Sequence, residues 1–139
     1  MLSFILILID QIIKNYMFLN QPQITLIPKW ISITYAKNTG TLFGLAQGSN
    51  YILIVTSVII ILGIIYIIAK KTDKYSLNRK MWQLILAGGI SNLIDRVYRG
   101  FVIDYVSLKF FGVCNLADFC IVIGVVFLFI LEIKELKNS

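Results

Sequence analysis

Apolar residues fall into four long runs along the chain, at about 2–19, 51–69, 81–98 and 116–133. Each approaches the roughly 20 residues an α-helix needs to cross the hydrocarbon core of a bilayer. The run from Tyr51 to Ala69 is almost wholly aliphatic. Asp10 and Lys14 interrupt the first run, and Gly88, Gly89, Ser91, Asn92, Asp95 and Arg96 the third. The fourth carries Asp118 as its only acid before Glu132. Residues 20–50 form the one substantial connection. There Ile31-Ser32-Ile33-Thr34-Tyr35 alternates apolar and polar residues at period two, the pattern of a half-buried strand. Asn38-Thr39-Gly40 then reads as a turn. The pattern predicts an all-α membrane protein: one domain over 1–139, a four-transmembrane-helix bundle with a small extracytoplasmic β-sheet or cradle made by the 20–50 arm.

Composition agrees with a bilayer setting. Hydrophobic residues make up 58% of the chain and mean hydropathy is +0.84, against roughly 45–50% apolar content in soluble domains. Lys70, Lys71, Lys74, Arg79 and Lys80 crowd the connection between the second and third runs, and Lys134 and Lys137 follow the fourth. The positive-inside rule places both regions, and hence both termini, in the cytoplasm. The first run has no basic lead and is broken by Asp10 and Lys14, so it reads as a retained helix rather than a cleaved signal. The net charge of +6 is then a matter of topology. No exposed basic surface interleaved with aromatics points to nucleic acid.

The chain has no histidine, which removes Ser-His and Cys-His catalysis and every histidine metal site. Cys114 and Cys120 match no zinc spacing and read as small apolar fillers. What remains is carboxylate chemistry. Asp10 and Lys14 are four apart, on one helical face, with the acid in the favourable N-terminal position. Asn92, Asp95 and Arg96 can line one face of the third helix, and Gly88-Gly89 lets another helix come close. Asp104, expected in an outer loop, and Asn115 and Asp118, at the start of the fourth helix, fall at the same depth as Asp95 and Arg96. Asn115 also suits an N-cap. If Asp104 and Asp118 meet, they share a proton and can act as an acid–base pair. Two other readings stay open: a proton-coupled transporter using Asp10, and a Ser91–Lys14 dyad.

Five motifs in order give the chain a family likeness. They are Asp10-Gln11-Ile12-Ile13-Lys14, Asn38-Thr39-Gly40-Thr41-Leu42-Phe43, Gly88 to Arg96, Val102-Ile103-Asp104-Tyr105 and Asn115-Leu116-Ala117-Asp118. Through nearly its whole length the chain resembles the lipoprotein signal peptidase (signal peptidase II) family of bacterial membrane aspartyl proteases. Ser91, Tyr105 and Cys114 depart from the family's usual residues. The resemblance implies a cofactor-free endopeptidase of the bacterial cytoplasmic membrane. It would remove signal peptides from diacylglyceryl-modified prolipoproteins, cutting before the lipidated cysteine near the outer face. Asp104 and Asp118 would be the catalytic pair. Asn38, Gly40, Asn92, Asp95, Arg96, Asn115, Asp10 and Lys14 would bind substrate or support the pair. The expected partners are lipidated precursors and membrane lipid, with the chain acting as a monomer and no metal involved.

Overall fold

The computed structural model describes residues 2–40, 50–70 and 76–138. Its helices are α1 (Leu2–Asn20), α2 (Asn50–Lys70), α3 (Leu77–Arg99) and α4 (Leu116–Asn138). Its strands are β1 (Ile24–Ile27), β2 (Ile31–Asn38), β3 (Val102–Leu108) and β4 (Gly112–Cys114). The Thr41-Leu42-Phe43 part of the second motif and Lys71 and Lys74 of the basic connection lie outside the described residues.

The helices begin and end where local chemistry dictates. α3 starts at Leu77, four residues before the apolar run, because the Ser76 hydroxyl accepts the Arg79 N–H at 3.1 Å. Such an N-cap satisfies one of the donors that a helix start leaves open. It stops at Gly100, whose φ of 80° is the left-handed conformation that costs glycine least. α1 ends similarly, with Gln21 at φ 45° and its N–H on the Met17 carbonyl at 3.0 Å.

α3 sits at the centre of the bundle and packs against α1, α2 and α4. Its mid-helix polar residues Ser91, Asn92 and Asp95 are accordingly buried. The outer helices show the reverse arrangement, with Ile59, Leu62 and Phe129 each at least 60% exposed. Apolar surface of this extent marks contact with a membrane or another protein. By length and composition, α1, α2 and α4 can each cross a membrane. α3, at 23 residues, is long enough, but its polar load keeps it from meeting the same apolar standard.

The sheet corrects the expected plan in two ways. It is a four-stranded antiparallel sheet in the order β1-β2-β3-β4. Only half of it comes from the 20–50 arm; the rest comes from the connection between α3 and α4. Asp104 accordingly lies in a strand, not a loop. The expected strand over 31–35 runs on to Asn38. Its register slips between the pairs Ile33↔Val106 and Ala36↔Asp104, where β2 advances three residues against two in β3. This bulge places Ala36 opposite Asp104, so that Asn38, two residues on, shares its face. Without it, Asn38 would point to the other side of the sheet.

Candidate active site

Helical spacing lays down the first layer. Lys14 Nζ lies 2.8 Å from Asp10 Oδ2 one turn earlier on α1 and 3.0 Å from Asp95 Oδ2 on α3. It also donates to Asn92 Oδ1 at 2.8 Å, so all three ammonium hydrogens have acceptors. Asp95 takes a second cation, Arg99, from one turn further along α3. Asp10 is completed by the Ser91 hydroxyl at 2.6 Å and the Tyr105 hydroxyl at 3.0 Å. Asp10, Lys14 and Asp95 are at most 1% exposed. Buried ions cost several kcal/mol each unless paired and hydrogen-bonded. Here two carboxylates face two cations, and Gln11 donates to both Ser91 and Asp95.

The second layer is built on the first. Asp95 Oδ2 accepts the Ile103 N–H at 3.1 Å, pinning the start of β3 to the end of α3. Asp104 follows directly, 2% exposed. One of its oxygens accepts Asn115 Nδ2 at 2.7 Å and the other Asn38 Nδ2 at 2.9 Å. Asp118 accepts Asn92 Nδ2 at 2.9 Å and the backbone N–H of Asn115 at 3.2 Å. In return the Asp118 N–H donates to Asn115 Oδ1 at 2.9 Å. Asn115 is thus both the N-cap of α4 and the bridge between the two aspartates: its amide holds one and its backbone the other. Lys14 reaches the same pair through Asn92.

Electrostatics separates the Asp104 carboxyl from an ordinary one. Burial and the Asp118 carboxylate push its pKa up to about 7, and the donors Asn38 and Asn115 hold it from rising further. Near neutral pH it therefore keeps a proton for much of the time. A group balanced near the working pH is suited to general acid–base chemistry.

The site opens on a cleft of about 330 Å³ between α2, α3 and α4. Asn38, Asn92, Arg96 and Asp118 line its polar end, and Ile60, Ile61, Ile64 and Ile85 form an aliphatic wall. The Arg96 guanidinium donates to the Gly40 carbonyl at 3.3 Å, and Asn50 holds the Arg96 carbonyl at 3.1 Å. Gly40 is itself fixed by its N–H on Asn38 Oδ1 at 3.0 Å, the expected Asx-type turn. All ten residues singled out in the sequence fall in this one connected region. Their pairings differ from the simplest expectation, because Asp95 bonds Lys14 and Arg99 while its neighbour Arg96 turns to the cleft. Arg99 and Gln11 were missed, although Arg99 stands four residues after Asp95 in the same favourable order as Lys14 after Asp10. Tyr105, noted only as a departure from the family, anchors Asp10 through a contact that no sequence spacing announces. The Ser–Lys arrangement finds no geometry: the Ser91 hydroxyl donates to Asp10, and Lys14 is fully engaged elsewhere.

Comparison with known proteins adds an independent line. A family model described as signal peptidase (SPase) II matches residues 2–134. A lipoprotein signal peptidase of Caldicellulosiruptor bescii is 37% identical over 130 residues, covering 91% of this chain and 85% of the relative. One from Streptococcus pneumoniae is 34% identical over 140 residues, covering 97% of this chain and 92% of the relative. Among solved structures, a bacterial membrane enzyme determined by the in meso method at 2.3 Å superposes with a TM-score of 0.90. It shares 26% identity over 99% of this chain and 88% of its own. A second bacterial membrane enzyme, determined by the same method at 1.9 Å, gives 0.84 at 26% identity over 95% and 90%.

Proposed function

The chain belongs to the signal peptidase II family, and on that footing we propose that Asp104 and Asp118 are its catalytic dyad. It is an aspartic peptidase that removes the signal peptides of lipoprotein precursors. The observation that carries the assignment of residues is the double role of Asn115, which ties both carboxylates into one hydrogen-bonded unit.

Roles follow from access to the cleft and from the proton that Asp104 holds near neutral pH. Asp118 lines the cleft and, ionised, takes a proton from a water held at the dyad. The water oxygen attacks the scissile carbonyl carbon while Asp104 gives its proton to the carbonyl oxygen, forming a gem-diol. Asp118 then returns its proton to the amide nitrogen as the C–N bond breaks, and one diol hydroxyl gives its proton back to Asp104. Both carboxylates end as they began, so the reaction needs no other proton carrier. Asn92 and Asn38 orient the two carboxylates, and Arg96 with Gly40 presents a donor and a backbone edge to the peptide. Lys14, Asp10 and Asp95 act from behind, holding Asn92 and β3 in place.

The substrate is a precursor whose cysteine already carries diacylglycerol, cut immediately before that residue. The isoleucine wall of the cleft suits an apolar signal segment arriving laterally from lipid. All four helices cross the bacterial cytoplasmic membrane, α3 included, because its polar side chains are satisfied inside the bundle. The basic residues between α2 and α3 and after α4 put both termini in the cytoplasm and the dyad near the outer face. The enzyme works as a monomer in the membrane. The test is incubation of purified enzyme with a diacylglyceryl-modified precursor and with its unlipidated form, followed by mass analysis of the products. Cleavage before the modified cysteine is the expected result. Equal cleavage of the unlipidated form would overturn the substrate assignment.

A further inference from the structure

At the end of the sheet remote from the dyad, two hairpin tips meet and form a second recess that the peptidase reaction does not use. The Lys109 N–H donates to the Trp30 carbonyl at 3.0 Å, the Trp30 and Phe110 rings meet edge to face at 5.6 Å, and Lys109 Nζ lies 4.4 Å over the Trp30 ring. On one side of this junction is a polar cup of about 260 Å³ that includes Thr25, Lys29, Ser32, Ser107 and Lys109. On the other is an apolar groove of about 510 Å³ made by Ile27, Ile31, Leu108, Phe110 and Phe111. Ile27, Trp30, Ile31 and Lys109 belong to both.

We propose that this junction is a binding site for an anionic phospholipid of the outer leaflet, its phosphate in the lysine cup and its acyl chain along the aromatic groove. Two cations and three hydroxyls suit a phosphate, and the sequence has no acid from 11 to 72 or from 105 to 117 to oppose it. Free phosphate would leave the adjoining groove unfilled, whereas a lipid fills both. Trp30, Phe110 and Phe111 are each more than half exposed, and tryptophan and lysine side by side are the usual furniture of a membrane–water interface. The surface is also continuous with lipid-facing helix. Leu19 at the end of α1 is 70% exposed, and only residues 21–23 separate that helix from β1, whose four residues are all exposed. Lys29 holds φ 67° in the turn Ile27-Pro28-Lys29-Trp30. That position of a type II turn favours glycine, so the lysine sits there at a backbone cost.

The site rests on the membrane placement proposed above, not on the peptidase chemistry. The chain has two tryptophans, and Trp82 is packed in the bundle beside Ile64, Ile68 and Ile85. Full-length protein with Trp82→Phe is placed in nanodiscs of phosphatidylcholine with or without phosphatidylglycerol, and Trp30 emission is quenched by spin labels at headgroup or mid-chain depth. Shallow quenching that rises with phosphatidylglycerol and weakens with salt is expected. The Lys29→Gln/Lys109→Gln pair should lower that preference roughly 25-fold, at about fivefold per lysine. Trp30 open to iodide and untouched by either lipid label would overturn the proposal. So would protection that grows with protein concentration in detergent (a second copy), that needs added precursor, or that inorganic phosphate alone provides. A companion Trp30→Phe protein reports insertion through Trp82, and cleavage assayed in the same discs separates failure here from failure of the peptidase reading.

Discussion

Among the glycines whose surroundings are described, Gly88 leaves least room. A methyl group there would meet the Ala117 carbonyl oxygen at 2.3 Å and Ile121 Cγ1 at 2.7 Å. Carbon–oxygen contacts settle at about 3.3 Å or beyond, so Gly88→Ala must drive the α4 backbone back by about 1 Å. The obstructing carbonyl belongs to the residue before Asp118, and Asn92, which holds Asp118, lies one turn along the same helix as Gly88. The displacement therefore falls on the dyad. Misplacement of about 1 Å can cost on the order of 100-fold in rate, and overpacking costs about 1–3 kcal/mol of stability. Two other glycines provide the controls. At Gly124 a methyl would meet Ile85 Cγ1 at 2.5 Å and Met81 O at 2.8 Å, crowding the same helix pair away from Asp118. At Gly89 it would meet Ile61 Cγ1 at 3.5 Å, an ordinary contact. Cleavage of lipidated precursor and thermal unfolding in detergent should be measured on all three alanine variants. Gly88→Ala should lose both rate and stability and Gly124→Ala mainly stability, while Gly89→Ala, whose methyl meets the cleft wall at ordinary distance, should keep its stability. Equal loss of kcat from Gly88→Ala and Gly124→Ala at matched folded fraction would refute a local displacement of Asp118.

Asp104→Asn and Asp118→Asn should each abolish cleavage while the protein still inserts; retained processing by either purified variant sinks the dyad. With Asp104 as proton donor, kcat/KM should fall as pH rises through about 7. Asn38→Ala removes a donor that favours the ionised carboxyl, so a pH–rate profile should show that limb moved upward. The same group bears on stability. Its folded pKa of about 7 exceeds the ordinary 3.8, so the folded chain binds more protons between those values. Its contribution to stability is full below about 3.8, falls as pH rises to about 7 and is flat beyond, a trend that melting in detergent can follow. Lys14→Met leaves Asp10 and Asp95 facing each other with one cation fewer, and should cost about 3–5 kcal/mol, measured by chemical denaturation in micelles. Ser91→Ala should keep substantial cleavage, since its hydroxyl bridges Gln11 and Asp10 behind the dyad; complete loss in a folded variant would revive the Ser–Lys reading.

Much of the site was legible because helices repeat. Spacings of three and four residues placed Asp10 with Lys14 and grouped Asn92, Asp95 and Arg96; the structure keeps the first pair and brings Asn92 and Asp95 to Lys14, while Arg96 leaves the group. The absence of histidine alone narrows the chemistry. What spacing could not decide was the choice among neighbours on one helix. Asp95 and Arg96 are adjacent, yet adjacent helical residues diverge by about 100°, so Asp95 faces Lys14 and Arg99 while Arg96 faces the cleft. Gly88 and Gly89 looked equivalent as a small pair. Only the first takes α4 at close range; the second meets α2 at ordinary distance.

The apolar runs, the inward polar face of the third and the pool of carboxylates can be read from the chain alone, because solvent preference and helical periodicity are properties of short segments. Tertiary structure decided the partnership of those carboxylates. Asp104 was expected in a loop, for no period marks Val102–Leu108 as the third strand of a sheet. Its orientation depends on a register slip in β2 that brings Asn38 to its face. Its depth depends on Asp95, which grips the Ile103 N–H from another element. Register, depth and helix–helix distance are relations between segments far apart in the chain. They are fixed only when those segments pack together, and the geometry of the Asp104–Asp118 pair rests on all three.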